Sequence, residues 1–188
     1  MEDILRFNIW LIILIILLAA VYTQAHDGLF VRFSVGLGYY GELSQLDESG
    51  FVTPAKNHAL GWGFKQKYAV QISDFGGLIS NHVGEYDYIN LDALGLGFTY
   101  YIPDNISATF SVGQGKVTFA KNWWEITDDG EETGYALNLS VDKEWIIAKH
   151  WGLGLGAHGF YFKTNDIDYE FLQFGINAAI NFYFSSVQ

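Results

Sequence analysis

Few side chains in this sequence are of a type and spacing that could carry chemistry. Ser140, Glu144 and His158 could in principle serve as nucleophile, orienting acid and base in acyl transfer. Their spacing works against it. Ser140 and Glu144 lie four residues apart in one alternating segment, about 13 Å at roughly 3.3 Å per residue. One glutamate at that distance does not readily serve a Ser–His pair, so His158 reads as a polar side chain in a strand interior. His58, His82 and His150 fall near segment ends and show no metal-ligand spacing. The acidic run Asp128-Asp129-Gly130-Glu131-Glu132 offers oxygens of the kind hard cations take, but without the spacing of a calcium loop. It reads as a solvated loop, with Trp123-Trp124 before it as an interfacial anchor. No catalytic, cofactor or metal motif remains.

The elements that must position these residues are strands. Past Gly28 the hydropathy alternates with period two, the mark of segments with two different faces. Leu29, Val31, Phe33, Val35, Leu37 and Tyr39 share a face opposite Arg32, Ser34, Gly36 and Gly38. Seven further segments follow: Leu60–Tyr68, Ile72–Ser80, Leu94–Ile102, Ile106–Gly115, Tyr135–Glu144, Trp151–Tyr161 and Gln173–Phe184. The third is the least regular, because Asp74 and Gly76-Gly77 blur its phase. Beyond Gly115 the parity of Val117 and Phe119 is wrong for an outward face, and a bulge is expected there.

Eight antiparallel neighbours can close into a barrel and leave no edge. The polar face is rich in glycine and poor in charge, which suits a narrow lumen; the apolar face is nearly free of charge, as lipid contact requires. A soluble ligand-binding barrel would invert the two faces. Connections expected to be long (Gly41–Asn57, Asn81–Tyr88, Lys121–Gly134) alternate with short ones near Val70, Asp104 and Lys149, the asymmetry of outer-membrane barrels. Tyr39, Tyr135 and Tyr161 then form an upper aromatic level. Tyr68, Tyr100, Trp145, Trp151 and Phe184 form a lower one.

Composition agrees. Half of the 188 residues are hydrophobic, 18% are aromatic and only 16% are charged, below the roughly 25% usual for a soluble domain. There is no cysteine, so the hydrogen-bond ladder must hold the fold. Residues 1–25 read as a signal peptide: Arg6 precedes the thirteen-residue apolar run Ile9–Val21, and Thr23-Gln24-Ala25 supplies small residues for cleavage after Ala25. That run is short for a spanning helix, which needs roughly 17–25 residues. Removing Glu2, Asp3 and Arg6 with it takes the net charge from −11 to −10, which argues against nucleic acid as a partner. Residues 26–188 are then the barrel domain.

In that arrangement Arg32, Lys65, Lys67, Asp142 and Glu144 face inward near the short-turn end. Three cations and two carboxylates are expected either to form an ion-pair network plugging the lumen or to sit at its wet rim. Eight strands enclose an interior that side chains fill, so a general porin is not expected.

The Gly-x-Gly aromatic hairpins, Leu94-Gly95-Leu96-Gly97-Phe98-Thr99-Tyr100-Tyr101 and His150-Trp151-Gly152-Leu153-Gly154-Leu155-Gly156, resemble the outer-membrane β-barrel domain family of small eight-stranded proteins over residues 28–184. The resemblance implies an all-β, eight-stranded, antiparallel, up-and-down transmembrane barrel in a Gram-negative outer membrane. It implies contact with outer-membrane lipid and insertion by the barrel-assembly machinery, for which Phe184 resembles the terminal aromatic signal although Ser185-Ser186-Val187-Gln188 follow it. The expected role is structural or surface-interacting, through the acidic loops and an extracellular partner. A lipid-modifying barrel enzyme and a soluble ligand-binding barrel are the alternatives.

Overall fold

The computed structural model describes residues 27–42, 51–83, 86–120, 131–165 and 170–185. The expected signal peptide and its cleavage site after Ala25 lie outside them. Eight strands follow in chain order: β1 (Gly28–Glu42), β2 (Phe51–Phe64), β3 (Tyr68–Val83), β4 (Tyr86–Ile102), β5 (Ile106–Ala120), β6 (Glu131–Ala148), β7 (Trp151–Thr164) and β8 (Glu170–Tyr183). Each pairs antiparallel with the next, and β8 pairs with β1, closing the barrel. A path along paired residues runs Leu29, Trp62, Val70, Phe98, Phe110, Leu139, Gly159 and Phe174. It returns to β1 at Tyr39, ten residues above its start. This stagger tilts the strands and narrows the lumen.

The alternating residues take the two faces that their hydropathy dictates. Phe33, Val35, Leu37, Leu94, Leu96, Leu139, Leu155 and Ile176 point outward and are each more than half exposed, an exterior that water would penalise and hydrocarbon accepts. Arg32, Ser34, Ser73, Thr99, Ser111, Asn138, Asp142 and Asn177 point inward and are buried. At the lower end the turns are tight. Pro103-Asp104-Asn105 joins β4 to β5, with Asp104 and Asn105 in the left-handed region at φ 66° and 55°. Lys149-His150 joins β6 to β7.

Four expectations need correction. Lys65 and Lys67 are not in the lumen: β2 ends at Phe64, and Lys65-Gln66-Lys67 form an exposed turn with Lys65 at φ 56° and Gln66 at φ 55°. The lysines carry on the alternation of Gly61-Trp62-Gly63-Phe64, which is why periodicity placed them inside. No bulge occurs at Gly115, since pairing with β4 and β6 runs through it without a shift. Val117 and Phe119 simply face inward, where they are buried. The strands also reach further than expected, leaving 43–50, 84–85 and 121–130 between them at the upper end and making the second connection short. Finally, β3 pairs with both neighbours through Asp74 and Gly76-Gly77 without a shift, and its irregularity falls later, between Ser80 and Val83. Gly76 is required there by contact, because a Cβ at this position would stand 1.9 Å from the Leu91 carbonyl oxygen.

Candidate functional site

The lumen holds three layers. In the lowest, Phe30, Ala59, Ala69 and Tyr183 pack with Tyr101 and Ile146 beneath the charged residues. Arg32 of β1 reaches across to β6, its Nη2 lying 2.5 Å from Asp142 Oδ1 with both side chains buried. Asp142 also accepts from Asn177 Nδ2 at 2.9 Å and from Ser140 Oγ at 3.2 Å. Glu144 accepts from Asn181 Nδ2 at 2.7 Å and from the Tyr183 hydroxyl at 2.8 and 2.7 Å. The space left among these groups is about 10 Å³, no more than one water would fill.

Of the five charged residues expected together, the structure therefore brings Arg32 and Asp142 into contact and buries Glu144 next to them. Lys65 and Lys67 stand outside. With one cation for two carboxylates, Tyr183 and Asn181 supply Glu144 with the donors that the lysines do not. The glycines of β7 make room for this chemistry. A Cβ on Gly152 would meet Glu144 Oε1 at 1.9 Å, and one on Gly156 would meet Asp142 Oδ1 at 2.1 Å. The Gly-x-Gly repeat of that strand is thus the imprint of the two carboxylates opposite it.

The middle layer is neutral and hydrogen-bonded. Gln71 donates to Ser73 at 2.9 Å, Thr99 donates to Gln71 at 3.1 Å, and the Thr99 and Thr109 hydroxyls share a bond of 2.8 Å. Gln173 donates to Thr53 at 2.6 Å, and Asn177 to Ser34 at 3.0 Å. Ser140 and His158 are cross-strand partners, yet the Ser140 hydroxyl is turned to Asp142. Nucleophile and base are neighbours without the bond that acyl transfer requires. Among the described residues no His, Cys, Asp and Glu cluster could hold a metal ion.

The upper layer was not expected from the sequence. Tyr40, Phe75, Ile89, Leu91, Val117, Phe119, Phe160, Phe162 and Phe171 fill the lumen with apolar side chains. Phe75 meets Phe160 edge-on at 5.6 Å between ring centres, and Phe171 lies 6.0 Å from Phe162 and 5.8 Å from Tyr40. Its signals were the inward parity of Val117 and Phe119 and the Phe160-x-Phe162 pair in phase with His158. At the lower rim Phe184 points outward beyond β8, its amide bonded to the Leu29 carbonyl at 3.1 Å.

No protein-family model matches the chain, and no curated protein matches it. Solved structures do. Neisserial surface protein A superimposes with a TM-score of 0.61 at 8% identity, over 82% of this chain and 96% of that one. Ail, the attachment invasion locus protein of Yersinia pestis, superimposes with a TM-score of 0.54 at 14% identity, over 83% and 99%. A second Ail structure, in complex with the heparin analogue sucrose octasulfate, gives 0.53 at 15% identity over the same shares. At these identities the likeness is one of fold. Closed, eight-stranded, antiparallel and apolar on the outside, the chain has the architecture of the small transmembrane β-barrels of the Gram-negative outer membrane.

Proposed function

We propose that the protein is a non-conducting, non-enzymatic outer-membrane barrel whose work is done at its extracellular rim, where it meets a positively charged surface partner. The observation that carries this reading is the apolar upper plug. Phe75, Phe160, Phe162 and Phe171 are almost fully buried across the lumen, and beneath them the polar layers are occupied by side chains bonded to one another. Side chains so placed obstruct a small solute, which favours the outer segments as the part that acts.

Their charge indicates the partner. Asp47, Glu48, Glu85, Glu125, Asp128, Asp129, Asp166 and Asp168 fall in the segments between strands at that end, and Glu131 and Glu132 open β6. Lys121 is the one basic residue in those segments. Ail was crystallised with a sulfated sugar; so acidic a rim would repel such a polyanion and favours basic protein segments instead. The test is adhesion of cells carrying the protein to host-cell matrix and to a lysine-rich peptide. Changing Asp128→Asn, Asp129→Asn and Glu132→Gln together is expected to weaken binding, as is raised salt. Binding that survives both, or survives deletion of 122–130, overturns the reading.

A further inference from the structure

Most outward-facing charges among the described residues lie at the edges of the apolar band. Lys143, two residues from Trp145, donates to the Asp104 carbonyl in the β4–β5 turn, and Lys163 pairs with Glu170 two residues above Tyr161. Asp92 pairs in register with Lys116, two residues above the Gln114 that pairs with Tyr135, and so reaches the upper aromatic level. Lys56 and Asp74 lie deeper. Lys56 points outward in register with Val35, six residues above Leu29 and four below Tyr39; Asp74 points outward in register with Leu94. Val35 and Leu94 are 65% and 63% exposed, which marks both positions as lipid-facing.

Lys56 Nζ lies 2.9 Å from Asp74 Oδ1 and 2.7 Å from Asp92 Oδ1, yet the Lys56 and Asp74 side chains stay 34% and 42% exposed. His58 stands in register with Asp74, but its Nδ1 accepts the Ser34 amide at 3.1 Å and its ring packs edge-on to Phe33, which holds it toward β1. The surface that Lys56 and Asp74 still expose faces hydrocarbon, which does not solvate it. Lipid head groups do not reach that depth. What covers the pair must bring charge of both signs into the band.

A second copy of the chain does so. The bilayer sets every copy the same way up, so a symmetric pair is related by a two-fold axis along the membrane normal. Across such an axis the left strand of one face meets the right strand of the other. Lys56 on β2 then faces the partner's Asp74 on β3, and Asp74 faces the partner's Lys56. The 2.9 Å contact already holds the two charges at one height, so the four side chains close a ring of alternating sign. The apolar surface below fits the same axis. A hollow of about 360 Å³ lies over β3 along Val70 and Ile72, between Leu60 and Trp62 of β2 and Leu96 of β4. The β2 ridge of one copy lies against the β3 hollow of the other. We propose that the β2–β3 face is the interface of a homodimer within the membrane, held by the Lys56–Asp74 exchange. This interface is on the barrel wall and does not rest on the rim's partner.

The experiment uses the full-length barrel carrying one of two affinity tags. Copies with different tags are folded together into phosphatidylcholine vesicles, dissolved in mild detergent and drawn out on the first tag, and the second tag is then measured. The parent is expected to bring its partner with it; a parent that comes out single overturns the proposal. Lys56→Glu sets acid against acid at both contacts, and Asp74→Lys sets lysine against lysine, so each alone should lower recovery about tenfold. Mixed with each other, the two variants should return to the parent's level, because both contacts again join opposite charges. A merely structural role for the pair would not produce that rescue. Ile72→Trp keeps the charges, fills the hollow and should lower recovery on its own, so the proposal stays testable if a charge variant fails the mobility shift of folded, unboiled protein. Single charge variants that associate like the parent, a mixture that recovers nothing, or an Ile72→Trp without effect overturns the proposal.

Discussion

Arg32 on β1 and Asp142 on β6 meet across the lumen at 2.5 Å, the one contact between opposite charges among the buried residues of the barrel's lower half that the structure describes. Asp142→Asn takes from the buried guanidinium the carboxylate it touches, leaving only Glu144 nearby, and loss of one partner of such a pair costs up to about 3–5 kcal/mol. Glu144→Gln removes a carboxylate held by a hydroxyl and an amide, and its cost should be nearer 1–3 kcal/mol. Urea unfolding in lipid vesicles, followed by tryptophan fluorescence, should rank Asp142→Asn below Glu144→Gln and both below the parent. The reverse order would show that Arg32 is not anchored on Asp142.

Glycine positions give a sharper check of the lumen geometry. Alanine normally stabilises a strand relative to glycine by lowering the entropy lost on folding, by roughly 0.5–1 kcal/mol. At Gly156 a methyl group would meet both Asp142 Oδ1 and the Val141 carbonyl oxygen at 2.5 Å or less, and the carbonyl cannot swing away. Gly156→Ala should therefore destabilise by about 1–3 kcal/mol. Gly159 meets only the Phe174 ring, at 3.2 Å, so Gly159→Ala should be close to neutral. Equal thermal midpoints for the two variants would refute the close approach.

The upper plug predicts electrical silence. In planar bilayers the parent should show no discrete conductance steps, whatever the salt. Phe160→Ala removes a ring that is 2% exposed and packed against Phe75. It should lower stability by about 3–5 kcal/mol. Regular open-channel steps from the unaltered protein would place a conduit where these rings now stand.

Much of this was legible in the residues, and the failures have causes. Period two fixed the outward face of β1, β4, β6 and β8, because one face there is apolar and the other is small or polar. It failed at Lys65 and Lys67, where the alternation continues past Phe64 although the chain has already turned. It failed again at Val117 and Phe119, where apolar side chains fill the lumen and so resemble a phase slip. Hydropathy tells the faces apart only while their chemistry differs; where both are apolar, as at Phe160, Tyr161 and Phe162, direction is set by the register of neighbouring strands. The outward turn of Lys56 and Asp74 was hidden for other reasons: Lys56 fell in the expected connection Gly41–Asn57, which β2 in fact enters, and Asp74 breaks the alternation of β3 with a polar residue on the apolar face. The Arg32–Asp142 contact depends on the ten-residue stagger around the barrel, which no single segment records.

The orientation of the two faces can be tested at Leu139, which is 58% exposed at the middle of β6 and paired with Phe110 and Gly159. If this side meets hydrocarbon, Leu139→Arg should cost about 2–4 kcal/mol for folding into a bilayer, the depth-dependent penalty of a cation on the lipid side of a barrel. In a soluble barrel the same change at an exposed position would be worth no more than a few tenths. The parent should keep a faster, heat-sensitive mobility on a denaturing gel when unboiled. Leu139→Arg should populate the unfolded band, while Tyr39→Arg, at the interface, should do so far less. Comparable behaviour of the two arginines would mean that no depth gradient acts on this surface, and that the apolar exterior faces something other than a membrane.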